Sequence, residues 1–171
     1  STCSSNNVDN LAPFSFFTVA SCNPPVLLYT EVNKRDGHIK DTRRNLIATG
    51  ECVVNITDTD LLEKMNNTSA SLAIDESEFD FARVESCSSC TVKPRSVKAS
   101  PVRYECTLRE AKTISEAPMG GSIILLDVRH IYVRDDLYDD GIINQQLIDS
   151  VGKMGGDDYS KTTDLIALAR P

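Results

Sequence analysis

The sequence has no tryptophan, two histidines and eight glycines, and none of those glycines builds a phosphate loop. No GxGxxG run joins a strand to a helix and no GxxxxGK[ST] run occurs, which argues against Rossmann-type and P-loop nucleotide sites. Long apolar runs are missing too. Val26–Tyr29 and Ile123–Leu126 are the longest strongly apolar stretches, far short of the roughly 20 residues that a membrane-spanning helix needs. Ser1–Ser5 carries neither the basic nor the apolar region of a signal peptide, so export is not expected. Positive charge is the scarcer sign: 18 Lys and Arg against 25 Asp and Glu leave a formal net charge of -7. The resulting field repels nucleic acid and anionic membrane surfaces, and neither is expected as a partner.

What the sequence does contain is enough apolar material for a core. Hydrophobic residues make up 40% and charged residues 25%, a globular composition. A chain of 171 residues buries on the order of 70% of its unfolded surface. One domain, residues 1–171, is the expectation. Six cysteines, at 3, 22, 52, 87, 90 and 106, and sequons at Asn55, Asn66 and Asn67 are compatible with a secreted, disulfide-linked protein. Chain size and the strand-like surroundings of Cys52 and Cys106 favour the other reading, small buried hydrophobes in a reduced, cytoplasmic protein.

Asn10–Ala20 is rich in aromatic and β-branched residues and reads as a strand, stopped by Asn23-Pro24-Pro25 because proline supplies no ladder donor. Val26–Val32 reads as the next strand, and Asn33–Lys40, with Asp36-Gly37, as a loop. A helix is expected from Asp41 or Thr42, either of which can cap it, to the residue before Gly50, with Leu46 and Ile47 facing the core. Glu51–Thr57 reads as a strand, Asp58–Met65 as a helix with Leu61, Leu62 and Met65 on one side, and Ser77–Val84 as a helical turn. Ser86–Ser100 lacks periodicity and reads as a surface excursion. Arg103–Ala111 and Ser122–Val133 are two strands joined through Met119-Gly120-Gly121, and the consecutive apolar residues 123–126 suggest burial on both faces. Leu137–Pro171 reads mostly as loop. Several strands, few short helices and no strand–helix alternation give a mainly β fold, a β-barrel with helical insertions.

Two local patterns could carry chemistry. Lys40 immediately precedes the helix start at Asp41-Thr42, where free backbone N–H groups and the helix dipole attract an anion. The lysine adds a point charge and Thr42 a hydroxyl. Cys87-Ser-Ser-Cys90 invites a zinc or dithiol reading, yet His38 and His130 stand outside any recognisable second half-site. Nor does the pair lie between a strand and a helix, as in a thioredoxin-like motif. It is therefore read as two loop thiols, and no metal is expected. No nucleophile-and-base constellation is visible. His130 reads as structural, and the aspartates at 135–140 and 157–158 as solvated turns.

The run Asn10-Leu-Ala-Pro-Phe-Ser-Phe-Phe17 resembles the strand motif of the flavin reductase-like, FMN-binding split-barrel family. Further landmarks follow in the family's order: Ser21 with Asn23-Pro24-Pro25, Lys40-Asp41-Thr42 with Asn45, Thr49–Asn55, Met65–Ala70, Val92-Lys93-Pro94 through Ser100-Pro101, Gly155-Gly156 with Tyr159, and Arg170-Pro171. The resemblance spans essentially the whole chain. It implies a six-stranded, Greek-key-like split β-barrel that forms a homodimer, with FMN in a groove near the subunit interface. The flavin phosphate is implied at Lys40, Asp41 and Thr42 and near Ser15. The ring is implied against the backbone of Ala12, Pro13, Phe14 and Ser15 and near Ser21, and Asn10 is implied among the cofactor-binding residues. The chain departs from the family at two places. It begins at Ser1-Thr2, inside the first motif and without the arginine-proline segment usual there, and Cys87–Cys90 replaces the loop that ordinarily precedes Lys93.

The activity the resemblance implies is hydride transfer from NAD(P)H to flavin, with a nicotinamide donor and a flavin or electron acceptor as partners. The isoalloxazine does this chemistry itself, so no side-chain acid or base is required. An FMN-holding electron-transfer or binding protein is a second reading. A thiol-based redox or metal-binding module on Cys87 and Cys90 is a third, and it alone would lose nothing on replacement of Lys40.

Overall fold

The computed structural model describes residues 1–171, Asp139 by its backbone alone, and is mainly β. Five antiparallel strands form the central sheet: β1 (Phe17–Cys22), β2 (Pro25–Val32), β3 (Glu51–Asn55), β4 (Val102–Thr113) and β5 (Gly121–Val133), in the order β1-β2-β5-β4-β3. Helix α1 (Asp41–Thr49) links β2 to β3, α2 (Leu62–Asn67) and α3 (Glu78–Phe81) lie between β3 and β4, and α4 (Gln145–Ile148) follows β5. Two-stranded ribbons pair Thr2–Cys3 with Asp9–Asn10, Ser86–Cys87 with Ser96–Val97, Tyr138–Asp139 with Ile142–Ile143, and Val151–Lys153 with Tyr159–Lys161. Among the described residues no helix is long and apolar enough to cross a membrane.

Period-2 alternation builds the inner face of the sheet. Leu27, Tyr29 and Glu31 of β2 stand opposite Leu126, Ile124 and Ser122 of β5, and Cys52 stands opposite Cys106 on the β3–β4 pair. Leu46 of α1 closes this core, with Phe14, Val54, Tyr104, Leu108 and Val128 at its margin. Each large apolar side chain so buried contributes about 1.5–3 kcal/mol. Contact with the Cys52 thiol and burial push the Cys106 thiol up, so the pair packs as neutral hydrophobes. All six cysteines are unpaired. A second cluster, Leu11, Leu61, Phe79, Ala82, Val84 and Val97, lies under the segment that carries α2 and α3.

Several elements differ from the sequence reading. The run 123–126 alternates: Ile124 and Leu126 are buried while Ile123 and Leu125 are half-buried. The sheet has five strands where six were expected. At its open β3 edge Ser1 exchanges two hydrogen bonds with Val53, of 2.7 and 2.9 Å, without a full strand. β1 starts only at Phe17, because Pro13 lacks an N–H and the 11–16 segment crosses from the N-terminal ribbon to the sheet outside any ladder. Cys22 and Pro25 flank the hairpin turn Asn23-Pro24, whose peptide bond is cis.

The helix start also differs. Lys40, not Asp41 or Thr42, is the N-cap residue, extended at φ -75 and ψ 157 and without a side-chain cap bond. Asp41 is held by Arg44 and, at 3.8 Å, by Lys34. Gly50 behaves as expected, at φ 75 with its N–H on the Leu46 carbonyl at 2.8 Å. Ile47, about 100° round the helix from Leu46, is 58% exposed. α2 begins at Leu62 because Asp58 is bridged to Ser150 and accepts the Leu61 N–H at 3.0 Å. Leu61 is buried, whereas Leu62 and Met65 are half-buried. The tail contains two ribbons and α4, capped by Asn144, where loop was expected.

The β4–β5 pair carries two bulges. Arg129 is the extra residue on β5 opposite the Glu105–Cys106 step, and Arg109 is the extra residue on β4 between Leu108 and Glu110. Arg109 reaches Asp127 at 2.8 and 2.7 Å, and Arg129 reaches Thr107 at 2.9 Å. Thr107 and Asp127 are themselves register partners between the bulges. The 114–120 turn is fastened by Asn33, whose amide donates to the carbonyls of Ser115 and Ala117 at 3.2 and 3.1 Å. At Gly120 a Cβ would collide with those same carbonyls, so only glycine fits.

Candidate functional site

The start of α1 concentrates charge. Lys34 and Arg44 pair with Asp41, Arg43 pairs with Glu31, and Glu76 and Glu78 line a small cavity with Asp41 and Arg44. Arg43 is buried, with Nε 3.7 Å from Glu31 Oε1 and Nη1 donating to Ser122 Oγ. Glu31 is fully buried and also accepts the Lys40 N–H at 3.3 Å. Burial pushes its carboxyl up, and the Lys40 N–H and the Arg43 guanidinium partly offset this. Two buried polar atoms here, Glu31 Oε2 and the Tyr29 hydroxyl, have no partner among the described residues. The first-turn N–H groups of Asp41, Thr42 and Arg43 have no acceptor within the helix, and Lys40 supplies no side-chain cap.

The 11–16 segment runs beside this helix start. Asn10 fixes it there: its amide donates to Thr42 Oγ1 at 3.0 Å and to Thr2 Oγ1 at 3.2 Å, and Asn45 also donates to Thr2 at 3.3 Å. The Leu11 N–H binds Glu78 at 2.9 Å. Phe14 packs on Tyr29 with ring centroids 4.8 Å apart, and the Lys40 ammonium lies 5.0 Å from the Phe14 ring. Beyond Leu11, the N–H groups of Ala12, Phe14, Ser15 and Phe16 donate to no group among the described residues, while the Ser15 and Phe16 carbonyls accept from Phe17 and Thr30. The segment is therefore a row of free donors beside a lysine and an uncapped helix.

The structure thus brings Asn10, Ala12, Pro13, Phe14, Lys40, Asp41 and Thr42 into one neighbourhood, with Ser15 on its exposed side. Thr42 and Asn10 are buried and bonded to each other, which makes them fasteners between segment and helix. Ser21 is apart, beside the bulged Ala20 on β1. It lies six residues past Ser15, roughly 20 Å of extended chain.

Sequence reasoning passed over Tyr29, Glu31, Arg43 and Ser122. The inward alternation of Leu27, Tyr29 and Glu31 was the available signal, since a carboxylate in an inward register demands a buried cation. It also set His130 apart from the cysteines, whereas the fold draws Cys90, Glu105 and His130 together. A cavity of about 710 Å³ lies elsewhere, between the N-terminal ribbon and residues 72–81. Asp9, Asp75, Glu76 and Asp80 line it against a single Arg95, an arrangement that repels a phosphate.

Comparison with known proteins agrees with this architecture. Residues 1–152 match the family described as flavin reductase like domain, and the chain belongs to that family. It is 33% identical to the uncharacterized protein YwrF of Bacillus subtilis over 99% of this chain and 84% of that protein. Among solved structures, nitrilotriacetate monooxygenase component B from Bacillus cereus superposes with a TM-score of 0.91 at 30% identity, over 98% of this chain and 83% of that one. The 2-nitrobenzoate 2-nitroreductase NbaA of Pseudomonas fluorescens gives 0.87 at 25% identity, over 99% and 81%. A Shewanella frigidimarina protein described as a flavin reductase with split barrel domain gives 0.86 at 26%, over 99% and 83%. The fold is that split barrel.

Proposed function

We propose that residues 1–171 form a single FMN-binding unit that reduces flavin with electrons from NAD(P)H. The observation that carries this reading is the row of unpaired N–H groups at Ala12, Phe14, Ser15 and Phe16 beside Lys40 and the uncapped start of α1. Such a row suits a flat ligand edged with acceptors and ending in a phosphate. Lys40 and the free donors of the first helical turn would take the phosphate, whose charge the helix dipole also favours. Ala12–Ser15 would meet the ring edge through the backbone, and Asn10 and Thr42 would hold the two halves of the site in register. When bound, the isoalloxazine accepts hydride and passes electrons on. The protein's part is placement, through the donors and the cation that the site offers. The names of the relatives in Bacillus cereus and Pseudomonas fluorescens, a monooxygenase component and a nitroreductase, support an oxidoreductase role.

A homodimer belongs to the same proposal. β1 is an edge strand that continues the donor segment, and Phe16, Phe17 and Val19 there are 62%, 36% and 56% exposed. An exposed apolar edge of this kind suits a two-fold partner that covers it. Light scattering of the flavin-loaded protein should give the mass of two chains, and a single-chain mass at micromolar concentration would contradict it. The activity is tested by adding FMN, then NADH or NADPH without oxygen, and following the visible flavin absorbance. About one flavin per chain and rapid bleaching are expected. A protein that takes up no flavin overturns the binding reading, and bound flavin that neither nicotinamide bleaches replaces reductase by electron carrier.

A further inference from the structure

The 86–100 excursion is fastened to the outer face of the sheet by one buried carboxylate. Glu105 of β4, 4% exposed, accepts the Cys90 N–H at 2.7 Å on one oxygen and, on the other, the Thr91 N–H at 2.5 Å and the Thr91 hydroxyl at 2.7 Å. His130 of β5 is the direct register partner of Glu105, so its side chain shares that face. Pinning residues 90 and 91 carries the Cys90 thiol over the pair. A sulfur, a carboxylate oxygen and an imidazole nitrogen, from three separate elements, then lie within 4.8 Å of one another. Glu105 is buried, His130 half-buried and Cys90 exposed, so the group opens to solvent on the thiol side.

From this we infer that Cys90, Glu105 and His130 form a site for a borderline divalent cation, with Zn²⁺ as the ion it suits best. The donor set selects the ion: a thiolate disfavours Mg²⁺ and Ca²⁺, while sulfur, nitrogen and oxygen together match Zn²⁺. Ligand atoms around one tetrahedral zinc are roughly 3.3–3.8 Å apart, so the group needs to contract by about an ångström, within reach of an exposed cysteine on a loop. The three hydrogen bonds to Glu105 orient that ligand before any ion arrives, and one coordination position is left for water or an added ligand. On binding, Zn²⁺ replaces the Cys90 thiol proton, which passes to solvent. Cys87 is outside the ligand set. Its sulfur accepts from Arg103 Nη1 at 2.6 Å, and that guanidinium stacks 3.6 Å from the Tyr132 ring, two register pairs beyond Glu105 and His130. The ion would staple the excursion to β4 and β5.

The full chain is titrated with Zn²⁺ against a chromophoric chelator, and with Co²⁺ as difference spectra that report a sulfur-to-cobalt charge-transfer band. One ion per chain and that band are expected. Cys90→Ser should abolish the band and weaken Zn²⁺ on the order of 100-fold, and His130→Ala should weaken it at least about 10-fold. Cys87→Ser should leave both unchanged. Hydrogen exchange gives a separate readout, because Zn²⁺ should slow the amides of residues 86–100 in the parent chain and not in Cys90→Ser. Melting curves of the ion-free variants check that each is folded. No Zn²⁺ uptake at micromolar concentration, uptake unchanged in Cys90→Ser, or uptake lost on Cys87→Ser would each overturn the site.

Discussion

The two ends of α1 are finished differently. At the C-terminal end the Gly50 N–H returns to Leu46, the Thr49 hydroxyl donates to the Asn45 carbonyl at 2.9 Å, and Leu46 is sealed in the core. At the N-terminal end there is no cap, the first-turn donors are free, and a buried carboxylate and guanidinium lie beneath. The N-termini of α2 and α3 also lack a side-chain cap, so what sets the start of α1 apart is what lies around it. The open end is the one turned toward the free donors of Ala12–Phe16, and that asymmetry separates the part of the helix that holds the fold from the part available to a ligand.

This contrast can be broken by substitution, most severely at Arg43. Arg43→Ala leaves Glu31 charged and unpaired in the interior and is expected to cost about 3–5 kcal/mol of stability in urea denaturation. Replacing the pair together, Arg43→Met with Glu31→Leu, should recover most of that loss, and failure to do so would mean that the pair has a structural role beyond charge compensation. Next in size is Lys40→Ala, which should weaken FMN about 10- to 150-fold, or roughly 1.5–3 kcal/mol, while riboflavin, lacking the phosphate, changes much less. The ligand-free melting temperature should stay put. Equal loss for both flavins would move the phosphate away from α1.

Gly50→Ala tests the closed end. Nothing crowds a Cβ there, but φ of 75 disfavours alanine, so the variant should lose about 1 kcal/mol of stability and none of its flavin affinity. A change in affinity would erase the distinction between the two ends. The smallest effect is expected at Glu78, 8% exposed, which anchors the Leu11 N–H at the head of the donor row. Burial raises its carboxyl, with the Leu11 N–H partly offsetting. The fold therefore prefers the neutral group. Its contribution is in full force below the unfolded value of about 4.3 and is lost as pH rises through the raised folded value. Glu78→Gln should accordingly gain stability over the parent at pH 7 by less than the Gly50 effect, and lose that advantage below about pH 4. A gain that persists in acid would mean that something other than ionisation is at work.

Much of the scaffold was legible from residue patterns. β-branched runs marked β2, β3, β4 and β5, Gly50 marked the end of α1, and Lys40 was placed directly before its start. Local signals failed where a distant partner decides. Asp41 has the chemistry of a cap, yet Lys34 and Arg44 claim it. Ile47 follows Leu46 and lies on the exposed side of the helix. Leu11–Phe16 has strand composition, but Pro13 and the crossing to the sheet deny it a ladder and leave its amides unpaired. The grouping of Cys90, Glu105 and His130 depends on the β4–β5 register, which no spacing in the sequence announces.

The paired bulges of β4 and β5 have an arithmetic of their own. Before Glu105–His130 and after Glu110–Leu125 the residue numbers of partners share one sum, and only the three pairs from Cys106–Val128 to Leu108–Leu126 fall one short. Arg129 opens that offset and Arg109 closes it. The extra residue at a bulge has no opposite number, so deleting either arginine removes its bulge and leaves every remaining pair, and the face each pair occupies, intact. What is lost is local: the added twist, and with it the reach of Arg109 to Asp127 or of Arg129 to Thr107. The two arginines are inserted stitches, and the pattern of the hairpin survives the dropping of either.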